Sequence, residues 1–250
     1  MNIAAVNGKA GETRSVLRRE YLLHTPDAWV RTPMPFLRRG MAVVHASPRL
    51  GAGFLQYTAE LERGGELDAV AEQRFCWVLE GEASVVTKGR VRPIRAGHYA
   101  YLPGGFSGRV TASSGAKLAV IEKRYEALEG VPAPAACVGR EEDTQAAPLG
   151  GDPALLVRSL LPAEFAYDFA VNTMTYEPGA ALAQVEIHVM EHGLVMLEGA
   201  GTYRLGDERY TVQAGDFIWM APYCPQWFVA EGDVPAKYLI YKDWNRRPSL

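Results

Sequence analysis

Within seven residues the chain carries Glu186, His188, Glu191 and His192. Neutral imidazole nitrogen and ionised carboxylate oxygen are both ligands for a divalent cation. In an extended strand Glu186 and His188 share a face about 7 Å apart along the chain, so both reach one ion. His192 would lie about 13 Å beyond His188 if that strand continued. The chain must therefore turn between them, with His192 opening the next strand beside the first, which supplies three ligands from two adjacent strands. The string His188-Val-Met-Glu191-His192 also matches the H-x-x-E-H helical zinc site. Its context is wrong for a helix, because Gly193 follows at once and Leu194 to Leu197 run apolar into a Glu-Gly turn. A lone His reads as a surface or core residue; four candidate ligands together do not. Glu191, in the turn, reads as loop surface rather than as a base.

The elements that position these residues are repeated. LEGEASVVTKGRVRPIRAGHYAYLP at 79–103 resembles LEGAGTYRLGDERYTVQAGDFIWMAP at 197–222, and Gly81 and Gly97 precede Gly199 and Gly215 by the same 118 residues. Each copy runs strand, Glu-Gly turn, two alternating strands, Ala-Gly turn, strand, Pro. The alternation Tyr210, Val212, then Phe217, Trp219 has the period of half-buried strands. Glycine at the turns supplies the positive φ they require. Residues 126–153, rich in Ala, Pro and Gly and without periodicity, form the linker. The division is thus an N-terminal extension at 1–40, a first barrel at 41–125, the linker at 126–153 and a second barrel at 154–250. The helices expected are short, Gly11–Tyr21 and at most a turn at Pro162–Phe165, so the chain is all-β.

Composition excludes several classes. With 250 residues, 48% hydrophobic and 22% charged, and a net charge of −3, the chain is neither disordered nor collagen-like, and it has no basic excess suited to nucleic acid. Cys76, Cys137 and Cys224 are too widely spaced for a metal knuckle or a disulfide framework. The first 23 residues are charged before any apolar run of signal length, and no stretch of 18 apolar residues occurs. A cytoplasmic protein without membrane or nucleic-acid partners is expected, acting on a small molecule. Barrels with exposed β edges invite pairing, so a homo-oligomer is expected as well.

The two glycine-anchored blocks resemble the paired metal motifs of the cupins. Gly199 stands as the glycine of the first motif with His192 seven residues before it, Gly215 opens the second, and Gln226 occupies the place of the second motif's histidine. An amide oxygen can serve there as a fourth, neutral ligand. Shifted back by 118 residues, Asp68, Val70, Arg74 and Gly108 fall opposite Glu186, His188, His192 and Gln226. The first barrel therefore keeps the scaffold without the site. More narrowly, Glu186-x-His188-x3-His192-Gly193, Gly201-Thr-Tyr203, Gln213-Ala-Gly-Asp216, Pro225-Gln226-Trp227 and Tyr238-x3-Lys242-Asp-Trp-Asn245-Arg246 make the chain similar to the (S)-ureidoglycine aminohydrolase family. The likeness extends to Leu23–Asp27 and Pro48–Gly53.

This resemblance implies a bicupin, two double-stranded β-helix (jelly-roll) barrels in one chain, with Mn²⁺ held by Glu186, His188, His192 and Gln226. It also implies hydrolysis of ureidoglycine to (S)-ureidoglycolate and ammonia, with the ion anchoring the amino-acid-like end of the substrate. The donor set suits an octahedral Mn²⁺ or Fe²⁺ with open positions better than structural Zn²⁺. Tyr238 and Lys242 are even positions of one strand and point inward together, and an inward Lys needs an anion such as the substrate carboxylate. Tyr203 is placed to offer a hydroxyl to the same cavity. Against these roles stand plain ones: barrel-core tyrosines and a rim ion pair for Lys242. Trp219 and Trp227 are expected to pack the barrel, Cys224 to be structural, and Arg246-Arg247 to be solvated. Two His and a carboxylate also suit a ferrous dioxygenase, and a non-enzymatic bicupin is the third possibility.

Overall fold

The computed structural model describes residues 13–246. Strands dominate, all paired antiparallel. One sheet of the second half runs, in spatial order, Val16–Leu17, Tyr21–His24, Phe217–Met220, His192–Glu198, Ala236–Asp243, Phe169–Tyr176, Asp152–Ser159 and Ala146–Leu149. A three-stranded sheet of Glu208–Gln213, Ala200–Leu205 and Gln226–Glu231 closes over it. The first half is built around the long strands Leu37–Ala46, Leu55–Leu67, Gln73–Thr87 and Arg109–Lys123. Each half is a jelly-roll barrel, as expected from the repeat. Gly81 and Gly199 (φ 77° and 68°) and Gly97 and Gly215 (φ 80° and 93°) take the same left-handed conformation at equivalent turns.

Three apolar clusters explain how the halves are held. Tyr57, Leu61, Val78 and Leu118 belong to the core of the first barrel, and Met174, Leu194, Phe228 and Ile240 to that of the second. The third joins Phe54, Phe75 and Ile121 of the first half to Val171, Trp219 and Tyr241 of the second. The central strands of the second half are thus buried on both faces: Asn172, Met174 and Tyr176 turn toward the barrel, while Phe169 and Val171 face the other half. The half-buried reading of Phe217 and Trp219 is corrected accordingly. Phe217 to Met220 are all buried, and Trp219 packs between the barrels rather than inside one.

The chain ends and the linker also differ from expectation. Gly11 and Glu12 lie outside the described residues, and the rest of the expected Gly11–Tyr21 helix is extended, with Val16–Leu17 pairing with Leu22–Leu23. Tyr21–His24 then pairs with Phe217–Met220, so part of the N-terminal extension edges the second barrel. Arg14 clamps this segment with two bonds, 2.9 and 2.7 Å, to the buried Asp216 carboxylate. Strand pairing and burial of Tyr21 and Leu23 override the modest helix propensity of the charged residues around them.

The linker segment adds an edge strand to each barrel: Cys137–Arg140 pairs with His98–Leu102, and Ala146–Leu149 with Asp152–Ser159. Between them Glu141 accepts hydrogen bonds from Thr173 Oγ1 (2.7 Å) and Lys237 Nζ (2.5 Å), pinning the crossing to the second barrel. Near Pro162–Phe165 there is a turn, with the Tyr167 N–H donating to the Glu164 carbonyl. All three cysteines are free. Among the described residues no helix is long and apolar enough to cross a membrane.

Candidate metal centre

Glu186 does not lie in a long strand. It forms an isolated bridge with Gln226, exchanging two backbone hydrogen bonds of 2.8 and 3.0 Å. The chain bends after His188, and His192 opens the strand His192–Glu198, so the expected turn is present. The bridge sets the Glu186 and Gln226 side chains beside each other. His188 Nε2 then stands 3.2 Å from His192 Nε2, 3.0 Å from Gln226 Nε2 and 3.8 Å from Glu186 Oε2.

Among the described residues no three His, Cys, Asp or Glu side chains by themselves close on a point as a metal cluster would. The amide of Gln226 completes the set, and the protons show what the set can accommodate. His192 Nδ1 lies 3.2 Å from the Tyr241 carbonyl oxygen, which only accepts. Nδ1 therefore carries the hydrogen, and Nε2 turns a lone pair toward His188. His188 Nε2 cannot both donate to that lone pair and accept from the Gln226 amide nitrogen. A cation among these atoms, with the amide turned to present its oxygen, satisfies every one of them. Burial, reinforced by His188, lowers the His192 pKa to about 3, which holds it in the neutral form a metal needs. The residues present fit a divalent ion.

A cavity of about 370 Å³ opens on this cluster and is also lined by Tyr203, Tyr238 and Lys242. That is within the range of small-molecule sites. Tyr203 Oη lies 3.1 Å from Gln226 Oε1, donating to it as placed and accepting from the NH₂ once the amide is turned toward a cation, and Tyr238 Oη lies 2.6 Å from Tyr176 Oη. Burial pushes the pKa of all three phenols well above the ordinary value, so they stay protonated at neutral pH. Burial pulls the Lys242 pKa down against the opposing pull of Glu186. Its Nζ stands 4.8 Å from the centre of the Trp244 ring. No rim ion pair to Lys242 forms among the described residues.

The first barrel fills the equivalent place with a buried ion pair. Arg74 Nε donates to Glu122 Oε1 (2.7 Å), Nη2 lies 2.6 Å from the same oxygen in an ion-pair contact without hydrogen-bond geometry, and Nη1 donates to the Asp68 carbonyl (2.8 Å). Tyr57 Oη donates to the same Glu122 oxygen at 2.8 Å. Arg74 and Glu122 are almost wholly buried.

Several residues differ from their sequence readings. Glu191 is not loop surface: it is buried between the barrels, accepting from the Gly53 N–H and from Trp219 Nε1 at 2.7 Å. Burial lifts its pKa to about 7. Trp227, by contrast, does pack against the core of the second barrel, partly exposed, and donates to the Leu182 carbonyl. Arg246 is not simply solvated, since it bonds the carbonyls of Glu126 and Phe165, while Arg247 lies outside the described residues. Cys224 is buried, its thiol pKa raised to about 11 by burial, in keeping with a structural role. Gly193 sits where the two barrels meet. A Cβ there would meet Gln56 Oε1 at 2.2 Å and the Phe54 ring at 2.7 Å, so any larger residue after His192 would push these side chains of the first half aside. Asn172, whose apolar surroundings hid it, also lines the cavity.

Twin jelly rolls with donor side chains gathered in only the second define a bicupin. Residues 50–125 match the EutQ-like cupin domain family and residues 172–241 the cupin domain family. The chain is 39% identical over 243 residues to the (S)-ureidoglycine aminohydrolase of Arabidopsis thaliana, covering 95% of this chain and 80% of the relative. It is 28% identical to the enzyme of that name from Escherichia coli (strain K12), covering 90% and 89%. A crystal structure described as a putative glyoxylate induced protein from Pseudomonas aeruginosa superposes with a TM-score of 0.87 at 31% identity, covering 97% and 95%. The chain belongs to the (S)-ureidoglycine aminohydrolase family.

Proposed function

We propose that the second barrel is a metal-dependent hydrolase centre that converts (S)-ureidoglycine and water to (S)-ureidoglycolate and ammonia. One observation supports this above the others: Glu186, His188, His192 and Gln226 line one cavity together with Tyr203, Tyr238 and Lys242. The names of the relatives supply the substrate. In the reaction the bond from the α-carbon to the amine breaks and a bond to water oxygen forms. One water proton leaves with the amine as ammonia, and the ureido and carboxylate groups are unchanged.

Glu186, His188, His192 and Gln226 would hold the ion, Mn²⁺ by expectation with Fe²⁺ as the alternative, and the bound ion would supply Lewis acidity to the amino-acid-like end of the substrate. Lys242, desolvated and without an ionic partner among the described residues, offers its charge to the substrate carboxylate or ureido oxygen. Tyr203 steadies the Gln226 amide, and Tyr238 presents a hydroxyl whose orientation Tyr176 sets. Because both remain phenols, they bind and orient and do not remove protons.

The test uses purified Mn²⁺-loaded protein with ureidoglycine generated in place from allantoate by a coupled amidohydrolase. Release of one ammonia beyond the coupling reaction, without O₂ uptake, supports the proposal. A strict need for Fe²⁺ and O₂ would replace it with a dioxygenase. A cytoplasmic homo-oligomer belongs to the same proposal, and light scattering on the purified protein tests the assembly.

A further inference from the structure

Resting on the hydrolase proposal above, we infer that Asn172 is the residue that selects the ureido group of the substrate. The sheet register places it. Lys242 is the Cα partner of both His192 and Ala170, and one row further along the same inward face Ile240 is the partner of Leu194 and Asn172, with Ser159 beyond. Asn172 is thus one strand over and two residues along from Lys242, a Cα separation of about 8 Å by strand geometry. Its side chain points to the cavity that holds the candidate metal ligands.

Two features mark this amide as a ligand-binding group. Asn172 is 7% exposed, yet its side chain makes no hydrogen bond to the described residues. The amide atoms are not sealed away from solvent: they open onto the cavity, where both donor and acceptor are free for an occupant. The surroundings are also selective. Apart from the seven site residues already named, only Ser159 and Asn172 among the lining side chains are polar; Leu149, Val157, Met174, Met190 and their neighbours are apolar. Ser159 is exposed at the rim, so the inner wall offers one polar group away from the metal cluster.

The chemistry matches. The substrate's metal-facing end carries the carboxylate and amine, and its far end is a urea, with a carbonyl acceptor beside an NH₂ donor. Asn172 offers the complementary pair, Nδ2–H to the ureido oxygen and Oδ1 to the ureido NH₂. A site built to hydrogen-bond a polar group discriminates strongly against an isostere lacking it, whereas an apolar wall would not.

The test is direct calorimetric binding of two stable ligands to the Mn²⁺-loaded protein, so that it does not depend on turnover. N-Carbamoylglycine and N-acetylglycine differ only by NH₂ against CH₃ at the far end. The wild type should bind the carbamoyl compound at least about tenfold more tightly. Asn172→Leu, close in shape, should bring the ratio near one, and Asn172→Asp should lie between. A wild type that does not discriminate, or an Asn172→Leu protein that folds and discriminates as well as wild type, would overturn the inference. Should Asn172→Leu not fold, an Asn172→Asp protein with the wild-type ratio would overturn it too. Failure of the hydrolase proposal appears separately, as absence of ammonia release by the wild type.

Discussion

His192 Nδ1 lies 3.2 Å from the carbonyl oxygen of Tyr241, the residue paired with Gly193 across the sheet. This contact fixes the imidazole tautomer, so Nε2 presents its lone pair to His188, around which Gln226 and Glu186 also gather. The ligand geometry is thereby set by the backbone of a central strand rather than by a loop.

The first prediction concerns the ion. Metal analysis should find one divalent ion per chain, and His188→Ala or His192→Ala should lose it, with activity falling more than about 100-fold, the upper range for loss of a ligand's supporting partner alone. Saturating Mn²⁺ at about 100 times its Kd should stabilise the apoprotein by about 2.7 kcal/mol, seen as a higher melting temperature. Unchanged metal content in His188→Ala would leave the cluster without its proposed role.

Gly193→Ala addresses the interface behind the site. A methyl group there collides with Gln56 Oε1 and Phe54, on the far side of the strand from the cavity. Overpacking of this kind costs about 1–3 kcal/mol. Urea denaturation should show that loss, and metal affinity should fall because His192 moves with the strand. Adding Gln56→Ala should restore part of both, since it removes the nearer obstacle.

In the first barrel, Arg74→Ala should be more damaging than its distance from the metal cluster suggests. It leaves Glu122 buried with only Tyr57 as a donor to its Oε1. Breaking a buried pair by removing one partner costs about 3–5 kcal/mol. Arg74→Ala combined with Glu122→Gln should recover much of that loss by removing the stranded charge. Metal content should stay at one ion per chain in both variants.

The repeat of Gly81 and Gly97 at Gly199 and Gly215 made the duplicated barrel legible, because only glycine adopts those turns without strain and the offset is constant. The spacing of Glu186, His188 and His192 made a turn before His192 legible, since no straight strand could gather all three. Three features could not be read the same way. Glu191 looked like surface because its partners, Gly53 and Trp219, are 138 and 28 residues away. The N-terminal strands looked helical because their pairing with Phe217–Met220 is long-range. Asn172 carried no motif at all: its significance comes from sheet register, which places it on the cavity wall one strand over from Lys242.

The last prediction concerns pH and the seam where the N-terminal strand meets the first barrel. His24 Nδ1 faces His45 Nδ1 at 3.1 Å, and His45 also bonds Thr58 Oγ1 and stacks on Phe217 with ring centres 4.8 Å apart. Burial depresses both pKa values, with His24 adding to the effect on His45 while Ala28 and Asp27 partly oppose it on His24. In the unfolded chain both imidazoles take up protons near pH 6.5. The folded protein keeps them neutral over the next stretch of pH, so the unfolded state binds more protons there. Stability therefore falls as pH drops below about 6.5, and the pair contributes nothing to the pH dependence above it. Each proton held only by the unfolded chain adds about 1.4 kcal/mol per pH unit to the slope. Urea midpoints from pH 7.5 to 5.5 should show a steeper decline for the wild type than for His45→Gln. Comparing the two proteins cancels the contributions of the remaining titrating groups, and equal slopes would mean that the seam is protonated without cost.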